Sequence, residues 1–146
     1  MFVMSFITAL FTILAPLRAD EAVERRNVRC DVRMISSTLK PGGTGELELL
    51  FSPDEGTHVT TDPPLEVVFA KLSPLRFTGM KSVSKISKTN DLDAKHPVLA
   101  GFIVDKKCKS GKHVVKGTVQ YSFCSDAEGW CSRATQPFEL TFTVTP

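Results

Sequence analysis

The sequence lacks a strong charge of either sign and has only one long apolar run. Its 18 Lys+Arg against 16 Asp+Glu leave a formal net charge of +2 and no strongly basic stripe, which argues against a nucleic-acid partner. A single apolar run excludes a multi-pass membrane protein. Hydrophobic residues at 42% and charged residues at 23% exclude a disordered tail, a collagen and a coiled coil. The 146 residues allow one domain and leave little room for a second.

The apolar run lies at the N-terminus and predicts export. Residues 1–17 carry no charge, and their apolar core is about a dozen residues long, shorter than the ~20 that a spanning helix needs. Pro16 follows this core, and the next residues allow cleavage between Ala19 and Asp20. We therefore expect residues 1–19 to be a secretory signal peptide and the mature protein to be periplasmic. An uncleaved N-terminal anchor is the alternative.

Beyond a charged lead-in at residues 20–27, the apolar side chains recur with the period of two that is typical of strands. No segment of ten or more residues after residue 20 has a helical period, and there is no internal repeat. Turn-forming residues separate the apolar runs, and those at 109–112 are expected to close a hairpin. About seven short strands predict that residues 28–146 form an all-β, immunoglobulin-like antiparallel sandwich. The alternation is clearest in residues 28–34, 47–51, 65–69, 115–123 and 138–144, and residues 98–104 are apolar on both faces.

Metal sites and hydrolytic active sites have little support in this sequence. The cysteines lack the two-to-four-residue spacing of a zinc site, and no G-x-S-x-G motif or familiar Cys-His arrangement occurs. We therefore expect no metal and no cofactor, and we expect each histidine to be exposed or hydrogen-bonded without a catalytic role. A metal or copper chaperone would have to rely on Met80, the thiols and three scattered histidines, His58, His96 and His113.

Four cysteines raise the question of pairing, because an exported protein meets an oxidising compartment. Of the three pairings, proximity favours Cys124–Cys131, since the six residues between them contain Gly129 and turn-forming polar residues. This leaves Cys30 and Cys108 as a second bridge or as free thiols. Cys30 lies on the apolar face of its strand, where a partner should not reach its sulfur. We expect that neither Cys30 nor Cys108 belongs to a redox centre.

The length of the loop that each bridge closes separates a redox role from a structural one. The Cys124–Cys131 bridge would restrict the unfolded chain by roughly 2.5 kcal/mol, against roughly 4.5 kcal/mol for Cys30–Cys108. A fold loses the shorter bridge more easily, so this bridge is the better redox candidate. The alternative is that it only staples a loop.

Residues 114–144 combine several features in a fixed order. A strand ends in a Tyr-x-x-Cys motif, a short turn containing acidic residues and glycine follows, and a second cysteine after an aromatic residue leads into a final strand. Upstream, Gly56, Thr57 and His58 form a Gly-x-His segment before the next apolar run. The residues of the first group are Tyr121, Cys124, Asp126, Gly129, Trp130, Cys131 and, at the start of the strand, Phe138.

This pattern resembles the N-terminal periplasmic domain of the thiol:disulfide interchange protein DsbD. The resemblance implies an immunoglobulin-like fold and a role as the relay component of a protein-disulfide reductase. Cys131 would form the mixed disulfide with a thioredoxin-fold periplasmic partner, and Cys124 would resolve it. Asp126 and Glu128 would disfavour a thiolate nearby, and Arg133 would favour one. Tyr121 and Trp130 complete the candidate modulators, Trp130 as an apolar docking surface.

The sequence departs from this family in two places. The turn between the cysteines is one residue longer, and residues 81–96, which occupy the place of the family's cap loop, lack its aromatic segment. A loop of this length is often functional, although a solvated connection would look similar. The sequence also lacks the membrane domain and the thioredoxin-like domain of the full-length reductase. The resemblance therefore implies that separate proteins, including a membrane electron transporter, take the place of these domains. The alternative hypothesis about function is a non-enzymatic immunoglobulin-like interaction module whose disulfides are permanent.

Overall fold

Alternating apolar side chains become strands in nearly every place where the pattern is clear. The computed structural model describes residues 27–146, so the predicted signal peptide lies outside the described residues. No helix in this part of the chain is long and apolar enough to cross a membrane. The strands are β1 (Val28–Met34), β2 (Thr38–Leu39), β3 (Thr44–Pro53), β4 (Thr57–Thr60), β5 (Glu66–Phe69), β6 (Leu75–Ser82), β7 (Val98–Val104), β8 (Gly111–Ser125) and β9 (Trp130–Val144).

Two sheets pack face to face. The first has the order β1-β3-β7-β6, and the second has the order β2-β9-β8-β4, with β5 also paired to β8. β4 and β5 occupy successive stretches of the same edge of β8, so that His58 faces Cys124 and Val67 faces Val119. All pairs are antiparallel except β2 with β9. This is the strand order of an immunoglobulin-type sandwich, and it confirms the predicted fold class.

The core is built from the inward-facing positions of both sheets, as the period of two requires. In β8, Val115, Val119 and Tyr121 are each at most 1% exposed. The ring of Tyr121 packs edge-to-face on Phe51 of the other sheet, with centroids 5.2 Å apart. Its hydroxyl donates a hydrogen bond of 2.7 Å to the carbonyl oxygen of Val28. These contacts fix β8 from its middle to residue 121, just before the cysteine-bearing end.

Residues 109–112 were predicted to close a hairpin, and this prediction is wrong. β7 belongs to the first sheet and β8 to the second, so the turn carries the chain from one sheet to the other. The physical reason is that β7 is paired on both sides, by β3 and by β6, and has no free edge for β8.

The hairpin of the molecule is instead β8–β9. It holds fifteen residue pairs, from Gly111 opposite Val144 to Ser125 opposite Trp130. The turn at residues 126–129 is closed by the Gly129 amide, which donates to the Ser125 carbonyl oxygen at 3.0 Å. Gly129 has a φ of 69°, a left-handed conformation that glycine adopts without a steric penalty. This turn brings the ends of the two long strands together.

Candidate redox site

The candidate site lies at the tip of the β8–β9 hairpin. Cys124 and Cys131 are directly opposite one another in the two strands, with Cα atoms 4.0 Å apart, and they form a disulfide. One further pair, Ser125 and Trp130, separates the bridge from the turn. The pairing that chain proximity favours is therefore present in the fold.

The two sulfur-bearing residues differ in exposure. Cys131 is exposed, whereas Cys124 is half-buried. Both lie on the outer face of the second sheet. Side chains alternate between the two faces of a strand, and Tyr121, three residues before Cys124, points into the core. Cys131 is therefore the more accessible residue of the bridged pair.

Cys131 also lies in a strand with an unpaired edge. β8 occupies one side of β9, and on the other side β2 pairs only with Thr143 and Val144. Within residues 27–146, no strand pairs with that side of β9 near Cys131. Backbone groups along such an edge are available to an added strand.

His58 completes a row of three side chains across the outer face. It lies in β4 directly opposite Cys124, and directly opposite residues share a face of the sheet. The Nδ1 atom of His58 is 2.8 Å from Oδ1 of Asp126, and its Nε2 atom is 3.6 Å from Oδ1 of Asp91. The backbone amide of Asp126 donates to the carbonyl oxygen of Gly56 at 2.9 Å. Two carboxylates on different loops thus hold the imidazole beside the disulfide.

Sequence reasoning missed this placement, because it treated the histidines as residues without a catalytic role. One signal was present: Val59 is apolar and flanked by polar residues, which puts His58 on the outward face of any strand formed there. What the sequence did not show is that so short a strand pairs with the last four residues of β8.

Asp91 reaches His58 because residues 81–96 are anchored against β4. Leu92 is 3% exposed, and its amide donates to the Val59 carbonyl oxygen at 2.8 Å. Asp91 also forms an isolated bridge with Thr60. Asp91 and Leu92 therefore anchor this segment next to the candidate site, whereas residues 85–90 are exposed.

Three of the candidate modulators act elsewhere than at the sulfurs. Tyr121 is buried in the core. Arg133 shares the face of Cys131, but its Nη2 atom lies 3.2 Å from Gln120 and 3.4 Å from Glu66, one row further from the bridge. Trp130 alternates to the opposite face of the hairpin, where it packs edge-to-face on Phe123 at 5.8 Å.

The two acidic modulators have different partners. Asp126 contacts His58 and so belongs to the row beside the disulfide. The Glu128 carboxylate accepts a hydrogen bond from the indole Nε1 of Trp130 and thereby braces the turn. Of the residues singled out from the sequence, the fold brings together Cys124, Cys131 and Asp126.

The remaining cysteines are free thiols at opposite ends of the first sheet. Cys30 pairs with Phe51 near the end of β3, and Cys108 follows β7, whose Ile103 pairs with Thr44 at the start of β3. Cys30 is 0% exposed, and burial, with a contribution from Asp31, raises its thiol pKa to about 12. Burial likewise raises the pKa of the Cys108 thiol.

Within residues 27–146, no three His, Cys, Asp or Glu side chains are grouped as metal ligands would be. Comparison with known proteins adds no identity: no protein-family model and no curated protein matches the chain. The resemblance to the DsbD domain thus stays a prediction from the sequence.

Proposed function

We propose that this chain is a periplasmic thiol–disulfide interchange domain that exchanges electrons with thioredoxin-fold proteins through Cys124 and Cys131. One observation carries the proposal: an exposed cysteine is bridged at the tip of a hairpin whose own pairing extends over fifteen residue pairs. The bridge closes a short loop and contributes roughly 2.5 kcal/mol on the chain-entropy model. The strands and the core are therefore expected to persist when it opens.

The difference in exposure between Cys131 and Cys124 supports the following order of chemical steps. A partner thiolate attacks Sγ of Cys131, a new sulfur–sulfur bond forms there, and the pair of electrons of the old bond leaves on Cys124. The second cysteine thiolate of the partner then attacks the partner's first sulfur, which is bonded to Cys131 in the mixed disulfide. This step forms the disulfide of the partner and releases the Cys131 thiolate. Two electrons and two protons have then moved from the partner to this chain, and the reverse sequence returns them to another protein.

His58 supports the first of these steps. Cys124 leaves as a thiolate, and the register places the His58 imidazole opposite it on the same face. Because the two ring nitrogens contact Asp126 and Asp91, the ring would have to release one of these carboxylates to donate a proton to that sulfur. The contacts to Asp126 and Asp91 keep the ring at this place on the sheet. The unpaired edge of β9 gives the partner backbone a place to dock next to Cys131.

The reduction potential of the Cys124–Cys131 bridge tests the proposal. The protein is equilibrated in thiol–disulfide buffers of known potential, the thiols are trapped by alkylation, and the state of these two residues is read by mass spectrometry. A relay is expected near the thioredoxin value of about −270 mV, whereas structural bridges lie below about −300 mV. A value below that limit would support the interaction module with a permanent disulfide. Circular dichroism of the reduced protein serves as the control for folding.

A further inference from the structure

A cleft of about 680 Å³ opens between the two sheets, where the edge strands β5 and β6 approach one another. Its volume is within the range of small-molecule sites in proteins. The floor consists of apolar side chains from both sheets, and the mouth is formed by the β5–β6 turn and by the residues after β7. The floor residues are Val67, Phe69, Leu75 and Phe77.

The floor is held in place by contacts within the core. The ring of Phe69 packs edge-to-face on Phe102 at 6.3 Å and on Phe138 at 6.0 Å. The turn above it is braced by the Ser73 amide, which donates to the Ala70 carbonyl oxygen at 2.8 Å. Side chains and backbone with such contacts do not have to be ordered by a ligand, so the cost of binding is reduced.

The rim of the cleft is strongly cationic. Four basic residues line it against a single carboxylate, that of Asp105, which accepts a hydrogen bond of 2.7 Å from the backbone amide of Lys107. The ion pairs found within residues 27–146 involve none of these four cations. Leu72, in the turn at the mouth, is 98% exposed and adds apolar surface there. The four basic residues are Lys71, Arg76, Lys106 and Lys107.

We propose that this cleft binds an amphipathic monoanion, an aliphatic chain that ends in a carboxylate. The chain would lie on the Phe69 and Phe77 floor, where its burial is favourable, and the carboxylate would meet the cationic rim. Charge complementarity excludes an aliphatic cation, and an aliphatic alcohol would leave the rim unpaired.

This site is independent of the proposed redox function. Residues 67–69 pair with residues 117–119 of β8, five to seven residues from Cys124. At the rise of a strand, the separation is roughly 17–24 Å. Loss of exchange at the cysteines would therefore leave the cleft unaffected, and the two proposals can fail separately.

The test uses the exported protein and decanoate, held below its micelle-forming concentration. Affinity is measured by calorimetry, and the amides that shift in ¹H–¹⁵N spectra locate the site. We expect shifts at residues 67–77 and 103–107, weaker binding at higher salt, and decyltrimethylammonium to bind at least about tenfold more weakly. Shifts confined to other residues, or equal affinity for the cation, would overturn the proposal.

Charge reversal at the rim separates a site from general attraction. The double variant Lys106→Glu, Lys107→Glu is expected to bind decanoate about tenfold more weakly. The matched control, Lys109→Glu with Lys112→Glu, makes the same change of net charge outside the lining residues and should bind nearly as the unchanged protein does. Equal weakening in both variants would refute the cleft as the site. Thermal unfolding of both variants shows that they are folded.

Discussion

His58 lies directly across the sheet from Cys124, on the same face, while Cys131 occupies the position on the other side of Cys124. The two sulfurs therefore have different neighbours. Cys124 is half-buried between two strands with an imidazole beside it, and Cys131 is exposed in a strand with an open edge. This asymmetry is the structural basis for assigning the two cysteines different roles in the proposed exchange.

The first prediction concerns these roles. In reduced protein, Cys124→Ala should form a covalent complex with an oxidised thioredoxin-fold protein through Cys131, because no resolving thiol remains. Cys131→Ala should trap little, because the remaining sulfur is half-buried. A non-reducing gel measures the complex, and the unchanged protein, which resolves the intermediate, is the control. Trapping by Cys131→Ala alone would reverse the assignment, and two inert variants would indicate a structural bridge.

A second prediction concerns His58. Replacing it with Gln should slow reduction of the bridge by at least about tenfold, because the departing Cys124 thiolate loses its proton donor. The melting temperature of each variant is the control for folding, because the His58 side chain contacts both Asp126 and Asp91. His96→Gln is the matched control: His96 also pairs with an aspartate, Asp93, at 2.9 Å, but faces no cysteine. Stopped-flow mixing with a dithiol measures the rate of bridge reduction in both variants. Equal rates in the two variants would rule the role out.

The buried thiol of Cys30 gives a prediction about alkaline pH. Its pKa is raised from 9.0 to about 12 on folding, so the folded protein keeps a proton that the unfolded chain loses. This contribution to stability is fully present below about pH 9 and is lost as the pH rises toward 12, by about 1.4 kcal/mol per pH unit. Cys30→Val should lose less stability than the unchanged protein over that window.

Urea unfolding of both proteins at pH 8, 9, 10 and 11 measures this difference. Because all other groups are the same in both proteins, only the gap between the two curves is interpreted. Parallel curves would show that the Cys30 thiol ionises as easily in the folded protein as in the unfolded chain.

Replacing Cys30 and Cys108 together should leave exchange at Cys131 intact in the folded fraction.

Export supplies a further prediction. The mature protein is expected to begin at Asp20, because the apolar run ends before Pro16 and Ala19 is a small residue at the cleavage point. Intact-mass spectrometry of the periplasmic fraction measures the N-terminus. A membrane-bound chain that retains Met1 would instead support the uncleaved anchor.

Strand alternation predicted the fold well where one face is buried. Val28, Cys30, Leu47, Leu49 and Phe51 were placed on apolar faces, and each is at most 5% exposed. Strands with few apolar residues escaped notice. β4 buries only Val59, and β6 is broken by register shifts near Gly79, whose φ is 120°.

The candidate site could be predicted only in part. The disulfide follows from local spacing, because the turn between Cys124 and Cys131 is short. The row with His58 does not, because it depends on long-range pairing between β4 and the end of β8, and on Leu92 holding Asp91 there. The alternation within one segment shows which face a side chain occupies, but it does not show which other segment lies next to it.

Formation of the Cys124–Cys131 bridge depends on the register of the β8–β9 hairpin. In the native pairing, residue 124 faces residue 131, and both side chains leave the same side of the sheet. A slip of one residue would set Cys124 against Trp130 or Ser132 and turn Cys131 toward the opposite face. The disulfide therefore forms only in chains whose two longest strands have the native register. A hairpin in another register is not cross-linked and can still re-pair.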